Sequence, residues 1–148
     1  MSEVQSNFDA RVRASFARQS IMTTLGVTVE RVAPGEVEFA MPFAPDFTQQ
    51  HGFLHAGTVA TVLDSACGYA AFTLMTPEAA VMTIEFKTNF LAPAKGENFR
   101  FIGQVVKPGR TITVCNAQAF ALSAGADKLI ATMTATIMAV TGRAGIEQ

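Results

Sequence analysis

An α+β domain, with one curved antiparallel sheet wrapped around one long helix, is the fold class that three features of the sequence predict. The first is the run 55–75, HAGTVATVLDSACGYAAFTLM, which is small and apolar on every side yet carries one carboxylate, Asp64. A helix that is apolar all round must be buried all round. The second is period-two alternation over much of the remaining chain, the mark of strands with one buried face. The third is a row of alanines on one face of each of the last two strands, which lets a bulky object approach closely. The central helix is that object. At 148 residues the chain has the size of a single domain over 1–148, long enough to bury a substantial core.

The elements follow in order. Ser6-Asn7-Phe8-Asp9 reads as a helix start, with Ser6 and Asp9 at capping-box spacing. Phe8, Val12 and Phe16 fall at i, i+4 and i+8, while Arg11, Arg13 and Arg18 take other directions, so a short amphipathic helix docks on something larger. From Gly26 the period becomes two, with Val27, Val29 and Arg31 opposing Thr28, Glu30 and Val32. Pro34-Gly35 supplies a turn, and Val37, Phe39 and Met41 alternate with Glu36, Glu38 and Ala40, which completes a hairpin. Residues 42–52 contain two prolines, Asp46 and the polar run Thr48-Gln49-Gln50-His51, and form a loop leading into the central helix.

After Pro77 come four strand-like segments. Met82, Ile84, Phe86, Thr88 and Phe90 share one side of the first, which Ala92-Pro93-Ala94 ends. Residues 99–106, 111–122 and 129–140 follow, separated by Pro108-Gly109 and Gly125-Ala126-Asp127. Three tight turns predict a four-strand antiparallel meander. Cys115, Ala117, Ala119 and Ala121 share one face, as do Ala131, Met133, Ala135, Ile137 and Ala139.

Composition removes several function classes. A net charge of −1 leaves no electrostatic footprint for nucleic acid or anionic lipid. The stretch MSEVQSNFDARVRASF has no apolar core and is not a signal peptide. The run 55–75 barely reaches spanning length, has an acid at its centre and precedes strand-like sequence, so it is no membrane span. Cys67 and Cys115 lie in apolar runs without metal-type spacing, as expected of buried, reduced thiols in a cytoplasmic protein.

Chemistry concentrates on the central helix. Gly57, Ala60, Asp64, Gly68 and Ala71 advance by three or four residues and form one stripe, which permits close approach to the acid or makes a tight packing seam. At the helix start the free N–H groups of Ala56, Gly57 and Thr58 can face an anion or oxyanion. Asp64 lies seven residues beyond Gly57, roughly 10 Å along the axis. One carbonyl cannot touch both groups of the same chain, so catalysis here requires a second copy. His51 and His55 are four apart, but Gly52 and the polar run break any helix between them and no glutamate of an HExxH motif is present; no metal site is expected. Neither histidine has a Ser or Cys nucleophile at a recognisable triad spacing. Arg110 is a solvated strand-end arginine or a phosphate contact.

The stretch GFLHAGTVATVLDSACGYAA resembles the signature of hotdog-fold acyl-CoA thioesterases of the phenylacetate-pathway (PaaI-like) type. The segments LGVTVERVAPGEVEFAMP, TIEFKTNFLAPAKGE and GRTITVCNAQAF…KLIATMTATIMAV fall in that family's order, so the resemblance covers nearly the whole chain. It implies hydrolysis of an acyl-CoA by water, without metal or redox cofactor. It makes Asp64 the acid that activates the water or attacks the thioester, and Gln49 the loop amide that holds water or thioester. His55, Ala56 and Gly57 match the oxyanion-hole segment, with the Ala56 N–H as donor, and Thr83 matches a hydroxyl that contacts the water. His51, Gly52, Thr61 and Arg110 are the expected substrate contacts. The family's sites are shared across a dimer or a dimer of dimers, with acyl-CoA as ligand and neither nucleic acid nor membrane as partner.

Two departures stand out. The chain has His-Ala-Gly where the family has His-Gly-Gly, a change that preserves the backbone donor if φ is negative. By strand parity Thr83 lies opposite the Met82/Ile84 face. A hotdog hydratase or dehydratase and a non-catalytic acyl-CoA-binding module are the alternative readings.

Overall fold

The computed structural model describes residues 7–148. Helix α1 (Phe8–Ala17) buries Val12 and stacks Phe16 against Phe39 and Tyr69, with ring centroids 5.0 and 5.9 Å away. Ser6 of the expected capping box lies outside the described residues, and Asp9 instead pairs with Arg13 one turn on, at 2.6 Å. Arg11 donates to the Met75 carbonyl at 3.2 Å and lies 5.0 Å over the Phe72 ring. A cation at the end of the central helix opposes the partial negative charge there.

Strands are expected directly after α1, but a second helix intervenes. Helix α2 (Ser20–Leu25) buries Met22 and Leu25 and stops at Gly26, whose φ of +73° is the left-handed cap that glycine adopts without strain.

Strands β1 (Thr28–Ala33) and β2 (Glu36–Pro42) form the expected hairpin. Its register slips between Val29 and Arg31, and this bulge reverses the predicted parity. Val29 pairs with Phe39 and Val32 with Val37 toward the core, whereas Arg31 turns out to meet Glu36 and Glu38.

The central helix α3 (Ala56–Phe72) is buried from Ser65 to Phe72 on every side, as its composition demands. Strands β3 (Ala80–Phe90), β4 (Asn98–Lys107), β5 (Ile112–Ser123) and β6 (Ala126–Val140) complete one six-stranded antiparallel sheet in the order β1-β2-β4-β5-β6-β3. The alanine faces of β5 and β6 line its inner side, with Ala117, Ala119, Ala121, Ala131 and Ala135 at most 2% exposed. Gly103 on β4 marks the closest approach, since a Cβ there would stand 2.3 Å from the Ala66 carbonyl oxygen.

The predicted four-strand meander is correct only for β4, β5 and β6. β3 pairs with β6 at the far edge, not with β4. The segment read as a tight turn is therefore a crossover. Its backbone is tied down along the way: Leu91 N–H donates to Ile130, Glu97 N–H to Leu122, and Leu54 N–H to Ala94. These bonds satisfy the polar backbone of a segment that runs over the end of the sheet.

A second bulge, at Ile84, decides which side chains of β3 look inward. Thr83 pairs with Ile137 on the helix side, while Met82 pairs with Met138 and turns outward. Beyond the bulge Phe86 and Phe90 pair with the inward Ala135 and Ala131, yet remain 45% and 50% exposed because α3 does not cover them.

Candidate active site

Thr83, the last residue of β3 before the bulge and on its inward side, donates its hydroxyl to Asp64 Oδ1 at 2.8 Å. Thr83 lies opposite Met82, as strand parity sets it, and the side it occupies is the one that faces the helix. Asp64 is half-buried, and burial pushes its carboxyl above the ordinary carboxylate range while the Thr83 hydroxyl pulls it partway back. The pair opens into a cavity of about 360 Å³.

At the start of α3, His55 is the N-cap, and its Nδ1 accepts the Gly57 N–H at 2.8 Å. Gly57 makes room for the ring, since a Cβ at 57 would stand 3.1 Å from Nδ1. Three free donors are expected from the sequence, but the structure leaves fewer. The Thr58 N–H bonds back to His55 O and the Gly57 N–H is taken by the cap, so among these three only the Ala56 N–H has no partner among the described residues. Ala56 is helical, without the positive φ that would have required glycine, so the Gly→Ala departure keeps the donor.

Gln49 begins a turn held by Gln49 N–H to Phe53 O at 2.8 Å and Gly52 N–H to Gln49 O at 3.0 Å. Its Oε1 accepts the His51 N–H, which leaves Nε2 to donate outward. Gln49, His55 and Ala56 line a second cavity of about 550 Å³, walled by Val59, Phe90 and the crossover residues Leu91 and Pro93. The crossover that replaced the predicted turn thus builds this wall.

The structure brings together Gln49, His55 and Ala56 in one cavity, and Asp64 with Thr83 in another. Thr83 and Phe90, which line the two, are seven residues apart on β3, or roughly 23 Å of strand. The other expected contacts lie elsewhere. His51 and Gly52 are exposed in the turn, where Gly52 supplies a φ of +84°. Thr61 spends its hydroxyl on the Gly57 carbonyl at 2.7 Å. Arg110 lines a third cavity with Leu74 and Met75, at the opposite end of α3 from His55.

Both cysteines are buried and unpaired. Burial is the main cause of their raised thiol pKa values, with Cys115 pushed up to about 12, so neither is a nucleophile at neutral pH. Among the described residues no three His, Cys, Asp or Glu side chains converge as metal ligands, and no helix is long and apolar enough to cross a membrane.

Residues 51–125 match the family model of the thioesterase superfamily. A thioesterase family protein from Silicibacter pomeroyi is 61% identical, with a TM-score of 0.90 over 91% of this chain and 99% of that one. Human acyl-coenzyme A thioesterase 13 is 27% identical over 115 residues, covering 76% of this chain and 81% of that protein. The E. coli PaaI protein, from the phenylacetic acid degradation operon, shares the fold at 16% identity and a TM-score of 0.82, over 95% of this chain and 98% of that one. The chain spans about two thirds of the length of archaeal relatives named as candidate esterases.

Proposed function

This chain belongs to the thioesterase superfamily and has its hotdog fold, and we propose that it hydrolyses an acyl-CoA thioester in a site shared by two copies. The observation that carries the proposal is the separation of the Ala56 donor from Asp64 within one chain, with an unpaired strand edge between their cavities. β1, the other edge, is short and bulged. β3 is eleven residues long and exposes Ile84, Phe86 and Phe90. Long apolar edges recruit another strand. Antiparallel pairing of two β3 strands about a two-fold axis near Phe86 and Lys87 sets Thr83 of one copy opposite Phe90 of the other. That geometry joins Asp64 and Thr83 of one copy to Gln49, His55 and Ala56 of its partner.

In this reading the thioester carbonyl oxygen points at the Ala56 N–H, where the dipole of a seventeen-residue helix adds to the donor. Asp64 acts from the opposite side. Its raised pKa brings it closer to the basicity a general base needs, and Thr83 fixes which oxygen faces the water. Gln49 Nε2 donates to the water or the thioester. An attack by Asp64 itself, giving an anhydride that water then opens, uses the same residues. CoA leaves as the thiol.

The test is release of free thiol from a panel of short-chain, long-chain and aromatic acyl-CoAs, with complementation between two inactive variants. Asp64→Asn and Gln49→Ala are each expected to be nearly inactive. Mixed and reassorted, they should recover roughly a quarter of wild-type turnover, because half of the dimers then carry one intact site. No recovery, with mixed dimers demonstrated, refutes the shared site. Binding of acyl-CoA by wild type without any thiol release moves the protein to a binding module.

A further inference from the structure

Behind Asp64 the cavity ends against Gln19, Tyr69 and Gln148, which hydrolysis itself does not require. The wall is assembled by hydrogen bonds. Tyr69 OH meets Ser15 Oγ at 3.0 Å, and Gln148 Nε2 donates to the same oxygen at 3.0 Å. Gln148 Oε1 accepts the Val81 N–H at 2.9 Å. Gln19 Oε1 accepts the hydroxyl of Ser65, the residue after Asp64, at 2.9 Å. Ser15 and Ser65 are only 8% and 9% exposed, so these serines serve the wall and not the solvent.

Gln19 differs from its two neighbours. Its backbone is fixed between α1 and α2, with its N–H donating to Phe16 O and its carbonyl accepting the Met22 N–H, both at 3.0 Å. Its side-chain oxygen is committed to Ser65. The Nε2 group has no protein partner among the described residues and is open to solvent, and the residue lines the Asp64 cavity as well as the adjoining one beside Arg18 and Glu147. A donor held in place and left unspent is a means of reading an acceptor. Gly68, Val81 and Met82 supply the apolar part of the lining. At about 30 Å³ per water-sized group, the cavity holds on the order of ten heavy atoms.

We propose that the cavity behind Asp64 is the acyl subsite, that it takes short acyl groups carrying a hydrogen-bonding oxygen beyond the thioester, and that Gln19 is the specificity-determining residue that reads that oxygen. The proposal rests on the thioesterase reading and adds the substrate class to it.

The experiment measures kcat/KM of the full chain for hexanoyl-CoA, 3-hydroxyhexanoyl-CoA, 6-hydroxyhexanoyl-CoA and palmitoyl-CoA, in wild type and Gln19→Met. Wild type should favour at least one hydroxyacyl substrate over hexanoyl-CoA by about tenfold or more, and palmitoyl-CoA should be the poorest. Gln19→Met, similar in shape but without the donor, should remove that preference and leave hexanoyl-CoA within about threefold. Ser65→Ala, which unpins the carboxamide, should weaken the preference in the same direction and carries the test if Gln19→Met does not fold. Equal wild-type rates on plain and hydroxylated acyl groups, or a uniform loss across the panel in the variants, overturns the assignment. Wild-type inactivity on every acyl-CoA instead fails the thioesterase reading, and this inference falls with it.

Discussion

Adding one methyl group at Gly103 should displace the central helix and be felt at Asp64. A Cβ there would lie 2.3 Å from the Ala66 carbonyl oxygen and 2.5 Å from its carbon, where ordinary contact begins near 3.4 Å. The gap must open by roughly 1 Å, and close-packed interiors do not absorb that locally. Neither side can yield alone. Gly103 is paired on both flanks, to Val37 and Ala117, and Ala66 sits in the middle of α3. Overpacking costs about 1–3 kcal/mol, and two opposed backbones place Gly103→Ala at the upper end of that range. For a chain of this size each kcal/mol lowers Tm by about 2–4 °C, so the fall should be on the order of 10 °C. The displacement also reaches the site, because Ala66 is two residues past Asp64, whose 2.8 Å bond to Thr83 spans helix and sheet. Stretching that bond removes the influence that holds the Asp64 pKa down, and the acid limb of the pH–rate profile moves to higher pH. Calorimetric melting at fixed protein concentration and the pH dependence of thiol release read the two effects. Gly125→Ala is the control, since its φ of +77° and empty surroundings cost only backbone strain of about 1 kcal/mol. If Gly103→Ala melts with that control and keeps the wild-type pH profile, the packing argument is wrong.

Three further outcomes follow from the same geometry. Asp64→Asn should lower turnover by about 10²–10⁴-fold while leaving stability at neutral pH unchanged or higher in urea unfolding. The sign comes from burial: a carboxyl whose folded pKa is raised contributes stability in acid that is lost as pH rises through that pKa, and asparagine does not suffer the loss. Thr83→Val should shift the acid limb of kcat/KM upward in pH, since the deleted hydrogen bond opposes the raised pKa; an unmoved limb would detach Thr83 from Asp64 in the working enzyme. Phe86→Lys puts a charge at the centre of the β3 edge. With each buried Phe contributing about 1.5–3 kcal/mol, and two per pair, association should weaken by about 10²–10⁴-fold in sedimentation, and turnover should fall with it. Activity retained by single copies would exclude a shared site.

How much of this was readable in the sequence depends on the range of the interaction that fixes each feature. The β2 strand, the central helix and the alanine faces were legible because their burial follows from local period and composition. The two bulges were not. One extra residue at Glu30 or Ile84 reverses parity for the rest of the strand, and nothing in the local pattern announces it. The consequence at Ile84 is functional, because it brings Phe86 and Phe90 to the same inner face as Thr83, which meets Asp64. Strand order was hidden for a similar reason, since a short Pro-containing connection can close a hairpin or cross the end of a sheet. Helix α2 left a faint signal in Met22, Leu25 and the terminating Gly26, too short to outweigh neighbouring strands. The Asp64 pocket divides along the same line. Asp64 itself stood out as the one acid in an apolar helix, whereas Gln19, Ser15, Tyr69 and Gln148 meet only through tertiary structure. A single charge buried against composition is visible from sequence; the neutral polar groups that shape what approaches it become visible only when the chain is folded.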